Sequence, residues 1–82
     1  MINNDLLINI DKLHTTETGI ERIRRNLLTD AEDVVSYCRD IIKNRDTVIE
    51  RNGKNWYAYF QHMVITVNAY SYTIITAHQY KR

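Results

Sequence analysis

The stretch TVIERNGKNWYAYF, residues 47–60, decides the fold. Its side chains alternate in character with a period of two, the mark of a strand with one face buried. Asn52-Gly53 interrupts the alternation. An Asn-Gly pair between two such runs is a strong hairpin signal, because both residues accept the positive φ of a tight turn. Thr47 to Arg51 therefore reads as one strand and Lys54 to Phe60 as the next. Trp56, Ala58 and Phe60 fall on one face, Tyr57 and Tyr59 on the other. Further along, Gln61-His62 reads as a turn. Val64 to Ala69 and Tyr72 to His78 read as a third and a fourth strand, joined around Tyr70-Ser71. By this count Ile65, Val67 and Ala69 share a face, as do Ile74, Thr76 and His78.

Upstream of Asp46 the period is that of a helix. Leu6, Leu7, Ile10 and Leu13 predict a short helix within Asn4 to Leu13, capped by Asn3 or Asn4, against a strand reading from Leu6, Ile8 and Ile10. His14-Thr15-Thr16 reads as a connector. Thr18, with Glu21 three residues on, has the spacing of a capping box and predicts a second helix with the stripe Ile20, Ile23, Leu27 and Leu28. Arg22, Arg24 and Arg25 suit its C-terminal half as a solvated face with a Glu21–Arg25 pair. Thr29 and Glu32 repeat the box ahead of a third helix with Ala31, Val34, Val35, Cys38, Ile41 and Ile42 on one side. Helices followed by a strand meander make an α+β domain. Two or three N-terminal helices would pack on one face of a four-stranded antiparallel sheet, in a single domain over residues 1–82.

The 82 residues are 44% hydrophobic and 26% charged, globular proportions that exclude a disordered chain. The single Cys38 excludes an internal disulfide framework and a Cys-based zinc cluster, and makes a reducing cytoplasm the expected setting. No apolar run reaches the roughly 18–20 residues of a membrane span. No phosphate-binding glycine loop, nucleophile elbow or His-Glu-His metal motif occurs, so neither metal nor cofactor is expected.

Charge is segregated. All ten acidic residues lie at or before Glu50, against seven Lys or Arg there, a balance of −3. Residues 51–82 hold Arg51, Lys54, Lys81 and Arg82 and no acid, a balance of +4. Five of the six tyrosines lie in that same basic stretch. A basic, aromatic, acid-free surface suits phosphates and bases, although strand propensity alone favours Tyr over Asp.

Two resemblances attach to these residues. Leu13-His14-Thr15-Thr16 with Gly19, Arg22-Ile23 and Asn26-Leu27, then Gly53-Lys54-Asn55-Trp56-Tyr57, Ile65-Thr66-Val67-Asn68 and Thr73-Ile74-Ile75-Thr76-Ala77-His78, resembles a family of small bacterial domains of unknown function. The resemblance spans nearly the whole chain and implies no particular activity. The layout of helices before a four-stranded sheet also resembles the RelE-like and barnase-like ribonuclease toxins, which cut RNA without metal. The chain departs from that pattern in having no carboxylate after Glu50.

The reading that follows is an RNA-binding or RNA-cleaving domain, as an enzyme a metal-independent endoribonuclease. Metal-free cleavage needs an acid and a base, for which His78 and Glu50 are the candidates. It also needs cations for the phosphorane, and Arg51 and Lys54 flank the hairpin. Tyr57, Tyr70 and Tyr72 are candidates for stacking bases. The alternative is a non-enzymatic interaction module, a phage- or mobile-element-type inhibitor or a homodimer, that meets a protein partner through its tyrosine-rich sheet.

Overall fold

The computed structural model describes residues 5–80; the expected Asn3 or Asn4 cap and the basic pair Lys81-Arg82 lie outside them. A four-residue helix α1 (Asp5–Ile8) runs into a 3-10 turn (Ile10–Lys12), where the spacing predicts one continuous helix. Then come α2 (Glu17–Leu27), α3 (Val34–Lys43) and strands β1 (Val48–Asn52), β2 (Asn55–Phe60), β3 (Met63–Asn68) and β4 (Ile74–Gln79). The strands form one antiparallel sheet in the order β1-β2-β3-β4, with the helices on one face. This is the expected α+β architecture.

Both long helices start later or earlier than their capping boxes suggest. The cap of α2 is Thr16, whose hydroxyl accepts from the Gly19 N–H at 3.0 Å, rather than Thr18. The cap of α3 is Asp33, which accepts from the Ser36 N–H and hydroxyl, both at 3.0 Å, rather than Thr29. Those bonds hold the Asp33 carboxyl below its ordinary value of 3.8. Thr29 instead accepts from the Ala31 N–H within the connector. Arg24 is not part of a solvated face: its Nε and Nη2 reach the Ala31 carbonyl at 3.3 and 3.0 Å and tie the connector to α2.

α2 ends in a Schellman motif. The Thr29 N–H donates to the Arg24 carbonyl and the Leu28 N–H to that of Arg25, with Leu28 left-handed at φ 53°. Glycine is the usual occupant of that position, and the Leu28 side chain is 81% exposed, so it gains little by burial. Leu28→Gly is therefore expected to stabilise the protein by about 0.5–1 kcal/mol, the left-handed strain outweighing the added freedom of the unfolded chain. A thermal melt would register this as a rise of a few degrees, and a fall would show that the Leu28 side chain has a contact worth more than the strain.

The hairpin turn lies one residue later than the Asn-Gly pair suggests. Asn52 pairs with Asn55, leaving Gly53-Lys54 as the loop, with Gly53 at φ 63°. Gln61-His62 is the second turn, between the paired Phe60 and Met63, with Gln61 at φ 55°. β4 departs from simple alternation. Val67 pairs with Ile74 but Thr66 pairs with Thr76, so Ile75 is an extra, bulged residue. The bulge puts Ile74 and Ala77 in the core and turns Thr76 and His78 to the other face. The helix-side core joins Leu6, Leu13, Ile23, Leu27, Val34, Cys38, Ile41 and Ile42 to Trp56, Ala58, Ile65, Val67, Ile74 and Ala77. Burial pushes the Cys38 thiol up from 9.0 to about 12, so it is protonated at neutral pH and has no reactive thiolate.

Candidate functional site

Three segments converge at one end of the sheet: the Gly53-Lys54 turn, the loop of residues 69–73 and the connector at His14. The Ala69 N–H donates to the Lys54 carbonyl at 2.8 Å. His14 forms a parallel bridge with Thr73: its N–H donates to the Tyr72 carbonyl at 3.2 Å, and its carbonyl accepts from the Ile74 N–H at 2.7 Å. The half-buried Thr15 hydroxyl adds a bond of 3.0 Å to the Ile74 carbonyl.

Arg51 belongs to this end. It stands opposite Trp56 across β1 and β2, on the helix side of the sheet. Its guanidinium carbon lies 5.3 Å from the centre of the Trp56 ring and 5.7 Å from that of Tyr70, while Nε donates to the Gly53 carbonyl at 2.8 Å. Tyr70 is 74% exposed, so a ring is held at the surface with a cation against it. Lys12 repeats the pairing with Tyr72, its ammonium 5.7 Å from the ring centre. Each such contact adds about 0.5–1 kcal/mol at an exposed site, enough to orient the cation without immobilising it. Two polar atoms on β2, the Trp56 Nε1 and the Asn55 Oδ1, are buried without a hydrogen-bond partner.

The remaining expected site residues lie elsewhere. Glu50, Tyr57, Thr66 and Thr76 form one cross-strand row on the open face, and Val48, Tyr59, Val64 and His78 form the next. Glu50 and His78 thus sit on opposite edge strands, three strand spacings or roughly 14 Å apart across the sheet. That is too wide for the two to flank a single phosphate as acid and base. Arg51, on the opposite face from Glu50, cannot complete that pair either. Of the expected residues, the structure brings together Arg51, Lys54, Tyr70 and Tyr72, and leaves Tyr57, Glu50 and His78 on the other face.

His14, which reads in the sequence as part of a connector, has partners on both ring nitrogens. Its Nδ1 lies 2.8 Å from the Lys12 carbonyl and its Nε2 3.0 Å from the Thr73 hydroxyl. The Thr73 hydroxyl in turn lies 2.8 Å from that of Ser71. Asn68 Oδ1 accepts from the N–H groups of Tyr70 and Ser71, both at 2.9 Å, which fixes the loop. Tyr72, at φ 61°, is a bulky residue in the left-handed region, a conformation that costs on the order of 1–3 kcal/mol. His14 and Thr73 are 59 residues apart, so no local pattern joins them. The one available hint was polar residues placed beside the buried Leu13 and Ile74.

Among the described residues, no group of three or more His, Cys, Asp or Glu could hold a metal ion, and no helix is long and apolar enough to cross a membrane. A family model described as "Protein of unknown function (DUF3781)" matches residues 7–78. No curated protein and no solved structure matches the chain. None of these comparisons supports the likeness to ribonuclease toxins.

Proposed function

We propose, for a chain that belongs to the DUF3781 family of unknown function, a module that binds single-stranded RNA at the loop-side end of its sheet. The observation that carries this reading is the Arg51 guanidinium held against the exposed Tyr70 ring, beside Lys54. An exposed tyrosine gives a base a sequence-tolerant platform, worth about 1–3 kcal/mol per stacked base. Arg51 and Lys54 meet the phosphates, the one as a planar fork and the other as a point charge. No acid follows Glu50 in the chain. Cleavage is not part of this proposal, because Glu50 and His78 lie too far apart to share the work.

Fluorescence anisotropy with a labelled single-stranded RNA, titrated over a range of salt, tests the reading. Affinity is expected to fall steeply as salt rises, and Lys54→Ala to reduce the slope of log K against log salt by about 0.7, one phosphate contact. Tyr70→Ala is expected to weaken binding about 5- to 150-fold, the equivalent of one lost stack. Tyr59→Ala, on the open face, should leave it unchanged. Binding indifferent to salt and to Tyr70 would refute the proposal.

A second reading is a protein partner or a second copy on the open sheet face. It is favoured by Val48, 55% exposed on the edge strand β1, in the same row as Tyr59. A particle mass in solution above 9.8 kDa, unaffected by salt, would support it over the first.

A further inference from the structure

The hydrogen bonds around His14 run in one direction. The Lys12 carbonyl has no proton to give, so the 2.8 Å contact at Nδ1 requires an Nδ1–H donor. In the neutral ring Nε2 is then unprotonated and must accept from the Thr73 hydroxyl at 3.0 Å. That commits the single Thr73 proton, so the one proton of Ser71 serves two acceptors, Thr73 Oγ1 at 2.8 Å and Asn68 Oδ1 at 3.2 Å, the shorter contact being the one to Thr73. The tautomer is assigned from these partners. The result is a proton path from Ser71, exposed in the loop, through the half-buried Thr73 to His14, whose ring is oriented by a backbone carbonyl. A hydroxyl, a base joined to it by hydrogen bonds and a third group that orients the base are the parts of an activated nucleophile; here Thr73 stands between the Ser71 hydroxyl and the His14 base. A clasp between His14 and the sheet would need only the His14–Thr73 bond. The second contact, from the Thr73 hydroxyl to that of Ser71, extends the row of bonds to an exposed hydroxyl that Asn68 and the Thr73 N–H hold in place.

We propose that Ser71 is a nucleophile that takes an acyl group from carboxylic esters, with Thr73 relaying its proton to His14. This goes beyond RNA binding and does not depend on it. In the acylation step Ser71 Oγ forms a bond to the ester carbonyl carbon. Its proton moves to Thr73 Oγ1 as the Thr73 proton moves to His14 Nε2. Collapse of the tetrahedral adduct breaks the bond to the leaving oxygen, which is protonated by the reverse path. Water then attacks the acyl-serine by the same sequence, releasing the acid and restoring Ser71. Nothing is oxidised or reduced.

A fluorophosphonate probe tests this without knowledge of the natural ester. Ser71 Oγ would form a bond to phosphorus, fluoride would leave, and the proton would pass along the relay to solvent. The folded protein is expected to carry one label, located on Ser71 by peptide mass spectrometry and absent from Ser71→Ala. Thr73→Val and His14→Ala should each slow labelling by about 100-fold or more, while Thr73→Ser, which keeps the hydroxyl, should restore most of the rate. His62→Ala, in the turn at the far end, should label as wild type does. Circular dichroism of each variant separates loss of the relay from loss of fold. Labelling of wild type no faster than that of urea-unfolded chain would overturn the proposal, as would an unchanged rate in a folded Thr73→Val.

Discussion

Truncating Ile65 to alanine is expected to remove about 4 kcal/mol of stability, near the upper part of the range for a buried aliphatic residue. The reason lies in its neighbours. Ile65 is fully buried on the central strand β3, and the residues paired with it on either side are Ala58 and Ala77. The variant would have three alanines in a row across the middle of the sheet, with no lateral side chain long enough to lean into the gap. Only the helix layer could close it, and Ile23 and Ile42 are themselves fully packed. A chain of this length holds on the order of 4–12 kcal/mol in all, so the loss is a large share of the total. Urea unfolding should show the midpoint falling with little change in slope. A loss below about 1.5 kcal/mol would mean that the helices move in and refill the site.

Gly19→Ala should destabilise by about 2 kcal/mol, in the opposite direction to the usual gain from replacing a helical glycine with alanine. A β-carbon at Gly19 would lie 2.2 Å from the Thr15 hydroxyl oxygen and 3.2 Å from that of Thr16. Those two hydroxyls have fixed duties: Thr15 donates to the Ile74 carbonyl and Thr16 caps α2. The added methyl would displace the first and press on the second. Combining Gly19→Ala with Thr15→Ala tests the cause. Once the Thr15 hydroxyl is gone, the 2.2 Å overlap goes with it and only the milder 3.2 Å contact with the Thr16 hydroxyl remains, so most of the cost should vanish, giving a coupling energy of about 1.5 kcal/mol in the double-mutant cycle. Strict additivity of the two losses would place the strain elsewhere.

How legible each part was depends on the range over which its signals act. The helical stripe of α3 and the alternation of Trp56, Ala58 and Phe60 are local patterns with one physical origin, and both appear in the fold as the sequence implied. Caps are decided by competition among several suitable hydroxyls and carboxyls a few residues apart. Thr16 prevails over Thr18, and Asp33 over Thr29, through bonds that spacing alone does not rank. The bulge at Ile75 illustrates a stricter limit. An inserted residue leaves no mark on a run such as Thr73-Ile74-Ile75-Thr76, yet it decides whether His78 faces the helices or solvent.

The candidate site was legible in type more than in place. Cations and tyrosines after Glu50 were visible, and four of them do gather at one end of the sheet. The proposed pairing of Glu50 with His78 required knowing that their strands form the two edges. His14 reads as no more than part of a connector because its partner Thr73 is reached only after the chain has returned from the far side of the fold.

That return also bears on how one edge of the sheet is shielded. β4 is the last strand of the meander and would offer a bare row of N–H and C=O groups along its outer side. The parallel bridge at His14 engages the carbonyl of Tyr72 and the N–H of Ile74, and Thr15 takes up the Ile74 carbonyl. The connector thus works as a guard rail over the start of an edge that would otherwise recruit strands from other chains. Should the connector lift away in a local opening, the strand beneath would be open to self-association while the rest of the sheet remained intact.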